Sequence, residues 1–152
     1  MTDWSKRLTD LGIELPEVVA PLAAYVPAVR TGNLVYTSGQ LPITAGKLPV
    51  SGKVGGEVTA QEAKGLARQC ALNALASIDS LVGIDSVTRV VKVVGFVASA
   101  PGFVGQPGVV NGASELFGEL FGEAGAHARS AVGVSELPLN APVEVEIVVE
   151  VE

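Results

Sequence analysis

Near the C-terminal end apolar and polar positions alternate. Val143, Val145, Ile147, Val149 and Val151 share one parity, and Glu144, Glu146, Val148, Glu150 and Glu152 fill the other. A period of two predicts a half-buried strand. Val87, Val90, Val91, Val93, Val94 and Val97 crowd the segment from Val87 to Ala98, which predicts a strand buried on both faces. Leu34 to Ser38 and the β-prone stretch Tyr25 to Val29 flank Thr31-Gly32-Asn33, so they read as a hairpin. Arg129 to Val134 reads as a further strand, and residues 44–58 as a Gly-rich loop with a possible short strand from Lys47 to Val50.

The period changes to that of a helix in two places. Thr59-Ala60-Gln61-Glu62 is a capping box, in which the threonine hydroxyl and the glutamate each satisfy an N–H of the first turn. Ala63, Leu66, Ala67, Cys70, Ala74, Ile78 and Leu81 then share one face, Glu62, Arg68, Gln69, Asn73 and Ser80 occupy the rest, and Gly83 is the stop. Val110, Ala113, Leu116, Phe117, Leu120 and Phe121 define the second helix, closed by Gly122 to Gly125. This order predicts an α+β domain with a mixed sheet and two helices on one face. The sheet's other face then needs a partner, and another subunit is the economical one. Residues 1–24 read as an N-terminal extension carrying a short amphipathic helix (Trp4, Leu8, Leu11), broken by Pro16 and Pro21, and packed locally on the surface. Residues 25–152 form the domain.

Composition sharpens the picture. Apolar residues make up 48% of the 152 residues and charged residues 17%, a balance that favours burial in an oligomer. The net charge of −6 argues against nucleic-acid binding, and no basic run offers an exception. No apolar stretch has the length of a membrane span, and no leader is visible, so a cytoplasmic location is expected. With one histidine, His127, and one cysteine, Cys70, a metal centre of the usual kind is not expected. No phosphate loop, dinucleotide fingerprint or nucleophile elbow occurs. Any chemistry therefore rests on arginine, carboxylates, hydroxyls and backbone groups.

Two blocks carry a family likeness. The first is Gly32-Asn33-Leu34-Val35-Tyr36-Thr37-Ser38-Gly39-Gln40-Leu41-Pro42. The second is Ala128-Arg129-Ser130-Ala131-Val132-Gly133-Val134, followed by Leu137-Pro138 and Val143-Glu144-Val145-Glu146. Together they resemble the Rid (reactive intermediate deaminase, YjgF-like) family over about residues 25–149, with looser likeness between the blocks. The resemblance implies a chorismate-mutase-like fold and a homotrimer whose sheets form a central barrel, with clefts between subunits. It also implies hydrolysis of 2-aminoacrylate-type enamines and imines to 2-keto acids and ammonia, without a cofactor. By the same resemblance Arg129 binds the substrate carboxylate, Tyr25 lines the pocket, Gly39 and Asn111 lie at the cleft, and Glu144 positions water. Ala131 stands where the family's common deaminases have cysteine; its backbone remains available to water or substrate.

Each residue also has a plainer reading. Arg129 is open to a structural ion pair with a glutamate, Glu144 to a solvated strand face, Tyr25 to a satisfied core tyrosine, and Asn111 to a helix cap. Ser38-Gly39-Gln40 also reads as a tight strand exit. Ser130 should point away from Arg129. His127 reads as a loop histidine near a helix end, and Cys70 as an inert core residue. A non-catalytic trimer that binds small carboxylates is the second functional reading. An endoribonuclease is the third, disfavoured by charge.

Overall fold

The computed structural model describes residues 2–21 and 23–152. Helix α1 (Trp4–Asp10) precedes strands β1 (Ala28–Thr31) and β2 (Leu34–Thr37). Then follow α2 (Ala60–Val82), β3 (Val87–Ala98), α3 (Gln106–Phe121), β4 (Ala128–Val134) and β5 (Val143–Val151). The strands form one five-stranded sheet in the order β1-β2-β5-β3-β4. β3 and β4 run parallel, joined through α3, and the other neighbours are antiparallel. This is the α+β architecture the periodicity predicts.

Local rules account for most elements. The capping box forms in both halves: Glu62 N–H donates to Thr59 Oγ1 at 3.1 Å, and Thr59 N–H donates to Glu62 Oε1 at 3.1 Å. β5 buries Val143, Val145, Ile147, Val149 and Val151 against the helices, as its alternation requires. The helices share that face of the sheet. They can approach closely because of Gly112 on α3, where a Cβ would run into the Lys64 carbonyl of α2.

Several expectations need correction. Lys47 to Val50 is not a strand. Thr44 and Lys47 instead close a tight turn over Ala45 and Gly46, both at positive φ. Leu81 does not join the buried face, because residues 79–81 at the end of α2 are all exposed. Asn73, assigned by periodicity to the polar side, is fully buried. Its Nδ2 donates to the carbonyls of Leu41 and Ile43, each at 3.0 Å, and its Oδ1 accepts from Gln69 Nε2 at 3.0 Å. It fastens the 41–43 loop to α2. An Asn73→Ala variant strands two carbonyls and should lose about 2–3 kcal/mol of stability by urea unfolding.

β3 is buried on one face only. Val91, Lys92, Val94 and Phe96 are partly exposed on the face away from the helices. Val29, Tyr36 and Val132, at 51%, 43% and 43% exposure, extend that open apolar surface.

The N-terminal segment is fastened to the domain. The Trp4 ring stands edge-on to Phe121 at 5.0 Å, and its Nε1–H donates to the Val87 carbonyl at 2.8 Å. Ser5 donates its N–H and its hydroxyl to Asp85, at 2.8 and 2.7 Å, and these bonds hold the Asp85 carboxyl below its ordinary pKa. Leu8 enters the core. Among the described residues no helix is long and apolar enough to cross a membrane.

Candidate functional site

The sequence-predicted site residues fall into two groups. The first lies where β2 leaves the sheet. Tyr36 is opposite Val148, yet Gln40 is opposite Val145, so four steps on one strand meet three on the other. The extra residue makes a bulge at Ser38-Gly39. Ser38 N–H donates to the Pro27 carbonyl at 2.8 Å and its hydroxyl to the Val26 carbonyl at 2.6 Å. Gln40 then restores the ladder by exchanging both backbone bonds with Val145, at 2.8 and 3.0 Å.

The bulge carries Gly39 directly over Glu144 of β5. A Cβ there would meet the carboxylate, with Cδ only 2.8 Å away, so any larger residue would push the Glu144 side chain aside. Tyr25, Ser38, Gly39 and Glu144 line an open cleft of about 290 Å³. Burial raises the Glu144 pKa above its ordinary 4.5, and the Glu146 charge adds to the shift.

The second group lies on the edge strand β4 and the facing side of α3. Arg129 Nη1 donates to Asn111 Oδ1 at 2.7 Å and to Ser114 Oγ at 3.2 Å, and Nη2 donates to the Pro107 carbonyl at 3.4 Å. Among the described residues no carboxylate pairs with Arg129. Its contacts are neutral oxygens, which fix the guanidinium while leaving its charge uncompensated. The ion-pair reading of Arg129 is therefore not what the fold builds. The helix-cap reading of Asn111 also fails, because α3 begins at Gln106 with Gly105 as its cap. Ala131 lies on the Arg129 side of β4, against the core. Ser130 takes the opposite face, as expected.

Behind Arg129 lies a relay that sequence reasoning missed. His127 Nδ1 is 2.6 Å from the Gly125 carbonyl, and Nε2 is 2.9 Å from Ser114 Oγ. A carbonyl only accepts, so the network assigns the proton to Nδ1. Nε2 then accepts from the Ser114 hydroxyl, whose lone pair remains for Arg129. The 13-residue separation of Ser114 and His127 follows no motif spacing, so only the fold reveals this pairing. Cys70 is buried, and burial pushes its thiol pKa well up, with the Glu144 charge adding to the effect. This fits the core role expected of it.

One chain does not bring the two groups together. Arg129 is in register with Val93 and Ile147, whose side chains face the helices. Glu144 is in register with Phe96 and faces the open side. The groups thus sit on opposite faces, two strand spacings apart, or roughly 10 Å across the sheet.

The family profile "YjgF/chorismate_mutase-like, putative endoribonuclease" matches residues 5–151 of the chain. Protein TCP17 of Trypanosoma cruzi is 44% identical over 146 residues, covering 95% of this chain and 91% of that one. A 2-iminobutanoate/2-iminopropanoate deaminase of Dermatophagoides farinae is 32% identical over 142 residues, covering 92% and 95%. The crystal structure of a putative endoribonuclease from Shewanella oneidensis superposes with a TM-score of 0.93 at 34% identity, covering 99% and 100%. These relatives span deaminase and endoribonuclease descriptions, and the likeness reaches further toward the N-terminus than the two sequence blocks do.

Proposed function

The chain belongs to the YjgF/chorismate-mutase-like family, and from that premise we propose that it is a homotrimer that hydrolyses 2-aminoacrylate-type enamines and imines to 2-keto acids and ammonia. The observation that carries this reading is the Arg129 guanidinium, held by Asn111, Ser114 and Pro107 with no carboxylate among the described residues to neutralise it. A fixed, uncompensated guanidinium fits a substrate carboxylate. Assembly supplies the second half of the site. The unpaired edge of β4 and the open apolar face give one subunit surfaces on which another can seat its Tyr25–Gly39–Glu144 cleft.

The chemistry uses only groups of the chain and water. Arg129 binds the substrate carboxylate, and Tyr25 covers the planar imine. The Glu144 carboxylate accepts a proton as water attacks C2, forming a C–O bond and moving the C=N pair to nitrogen. It returns that proton to nitrogen to give the carbinolamine, then carries the hydroxyl proton to nitrogen as the C=O bond forms and the C–N bond breaks. Ammonia leaves and the 2-keto acid remains. An enamine first gains a proton at its β-carbon to reach the imine. The pKa of Glu144, raised by burial, suits a group that both takes and gives a proton. The Ala131 backbone is available to hold the attacking water.

The test is release of ammonia and keto acid from 2-imino acids generated by an amino acid oxidase, with light scattering to give the mass in solution. Acceleration by a species of three subunits supports the proposal, and a stable monomer contradicts the assembly. Ligand binding without turnover would favour the non-catalytic carboxylate-binding reading, motivated by Ala131. Cleavage of RNA that is lost on replacing Arg129 would favour the endoribonuclease reading. Ser114→Ala should lower kcat/KM about tenfold with the fold intact, because it frees the guanidinium to move off its aim. Ser114→Thr, which keeps the hydroxyl, should recover most of that loss.

A further inference from the structure

We propose that residues 16–21 and the loop from Leu41 to Gly46 form a side-chain pocket that selects imino acids with slender aliphatic or thioether side chains. This rests on the deaminase reading of the adjoining cleft. Next to that cleft lies a narrow throat of about 20 Å³, lined by Val19, Ala20, Pro21, Tyr25, Leu41 and Ile43 among others. The throat shares Tyr25 and Gly39 with the Glu144 cleft. At its far side it shares Val19, Ala20 and Ile43 with a larger cavity of about 580 Å³ that extends to Pro16, Val18 and Ala45. The three spaces are thus neighbours with common walls, and we take them as one path for the side chain of a substrate held at the cleft.

The lining states the preference. Among the described residues none that is charged lines the throat, and Glu17 is the one charged residue lining the cavity beyond it. A carboxylate or ammonium at the end of a side chain would lose its water there without a partner. The throat has room for about one water-sized sphere, which suits a methylene chain better than a phenyl or indole ring. One wall is fastened to α2, and the other is anchored by the residues that flank it. Asn73 holds the Leu41 and Ile43 carbonyls. Ile13 and Leu15 pack on the core on one side of the N-terminal segment and Ala28 on the other, while Pro16 and Pro21 restrict it between.

The test compares kcat/KM for imines generated from alanine, methionine, phenylalanine and glutamate. Wild type should favour the methionine-derived imine over the alanine-derived one by about tenfold or more, and over the other two by at least as much. Ala20→Phe, at an exposed position, should plug the throat and bring the methionine-to-alanine ratio close to one. Should that variant melt early, Val19→Glu should collapse the ratio through charge instead. A wild-type ratio near one, or a ratio untouched by both substitutions, overturns the pocket. If wild type hydrolyses no imine, the deaminase reading fails, and calorimetry with pyruvate and 2-keto-4-methylthiobutyrate then judges the pocket by itself. Tighter binding of the thioether acid, abolished by Ala20→Phe, upholds the pocket, and equal binding rejects it.

Discussion

Replacing Arg129 with alanine should lower kcat/KM for 2-imino acid hydrolysis by about 10²–10³-fold, with the protein still folded. The size of the effect follows from what the side chain does. Among the described residues it is the cation that Asn111, Ser114 and Pro107 hold at the β4 edge, so on the proposed mechanism no neighbour would replace its hold on the substrate carboxylate. The small effect on stability follows from the same geometry. Asn111 is exposed, so water replaces the lost bond, and the loss of stability stays within about 1 kcal/mol. Arg129→Lys keeps the charge but not the planar fork, and should fall between wild type and the alanine variant. Steady-state kinetics with a thermal melt checks both halves, and full activity in Arg129→Ala would end the mechanism.

Glu144→Gln produces effects of opposite sign on activity and stability. Burial, with the Glu146 charge second, raises the Glu144 pKa in the folded chain above the ordinary 4.5. The folded state therefore favours the protonated carboxyl. The stability this group contributes is fully present below its unfolded pKa and is lost as pH rises through its folded pKa. Glutamine carries no charge to penalise. The variant should melt higher than wild type at neutral pH, and the gap should shrink as pH falls toward 4.5. Activity moves the other way. Loss of the proton acceptor should lower kcat about 10²-fold. Wild-type activity should rise with pH through the raised pKa of Glu144, and the variant should lack that limb. A variant that is both less stable and fully active at neutral pH would remove Glu144 from the site. A residue kept for function at the expense of stability is a common bargain in active sites.

The sequence showed what depends on near neighbours. The alternation from Val143 to Val151, the Thr59–Glu62 box and the helical spacing from Val110 to Phe121 each follow from local geometry, and each element forms where its pattern lies. The Ser-Gly-Gln exit was legible for the same reason, although the bulge that lifts Gly39 over Glu144 shows only in the pairing of β2 with β5. Asn73 and the Ser114–His127 pair were not legible. Asn73 breaks the helix's polar pattern to bond a loop about 30 residues away, and His127 reaches Ser114 only because α3 folds back over β4. The split of the candidate site was also hidden. Adjacency to one sheet does not reveal that Arg129 and Glu144 face opposite sides, because that depends on strand parity and order together.

The central claim is that a working site takes Arg129 from one subunit and Glu144 from another. Mixed trimers of the Arg129→Ala and Glu144→Gln chains test it most directly, made by co-expression or by unfolding and refolding the two together. Each variant alone should be nearly inactive. In an equal random mixture about a quarter of the interfaces pair an intact Arg129 with an intact Glu144. The mixture should therefore recover about a quarter of the wild-type rate. A mixture no more active than either variant by itself, with mixed trimers verified by mass, would place both residues in a single-chain site and contradict the account.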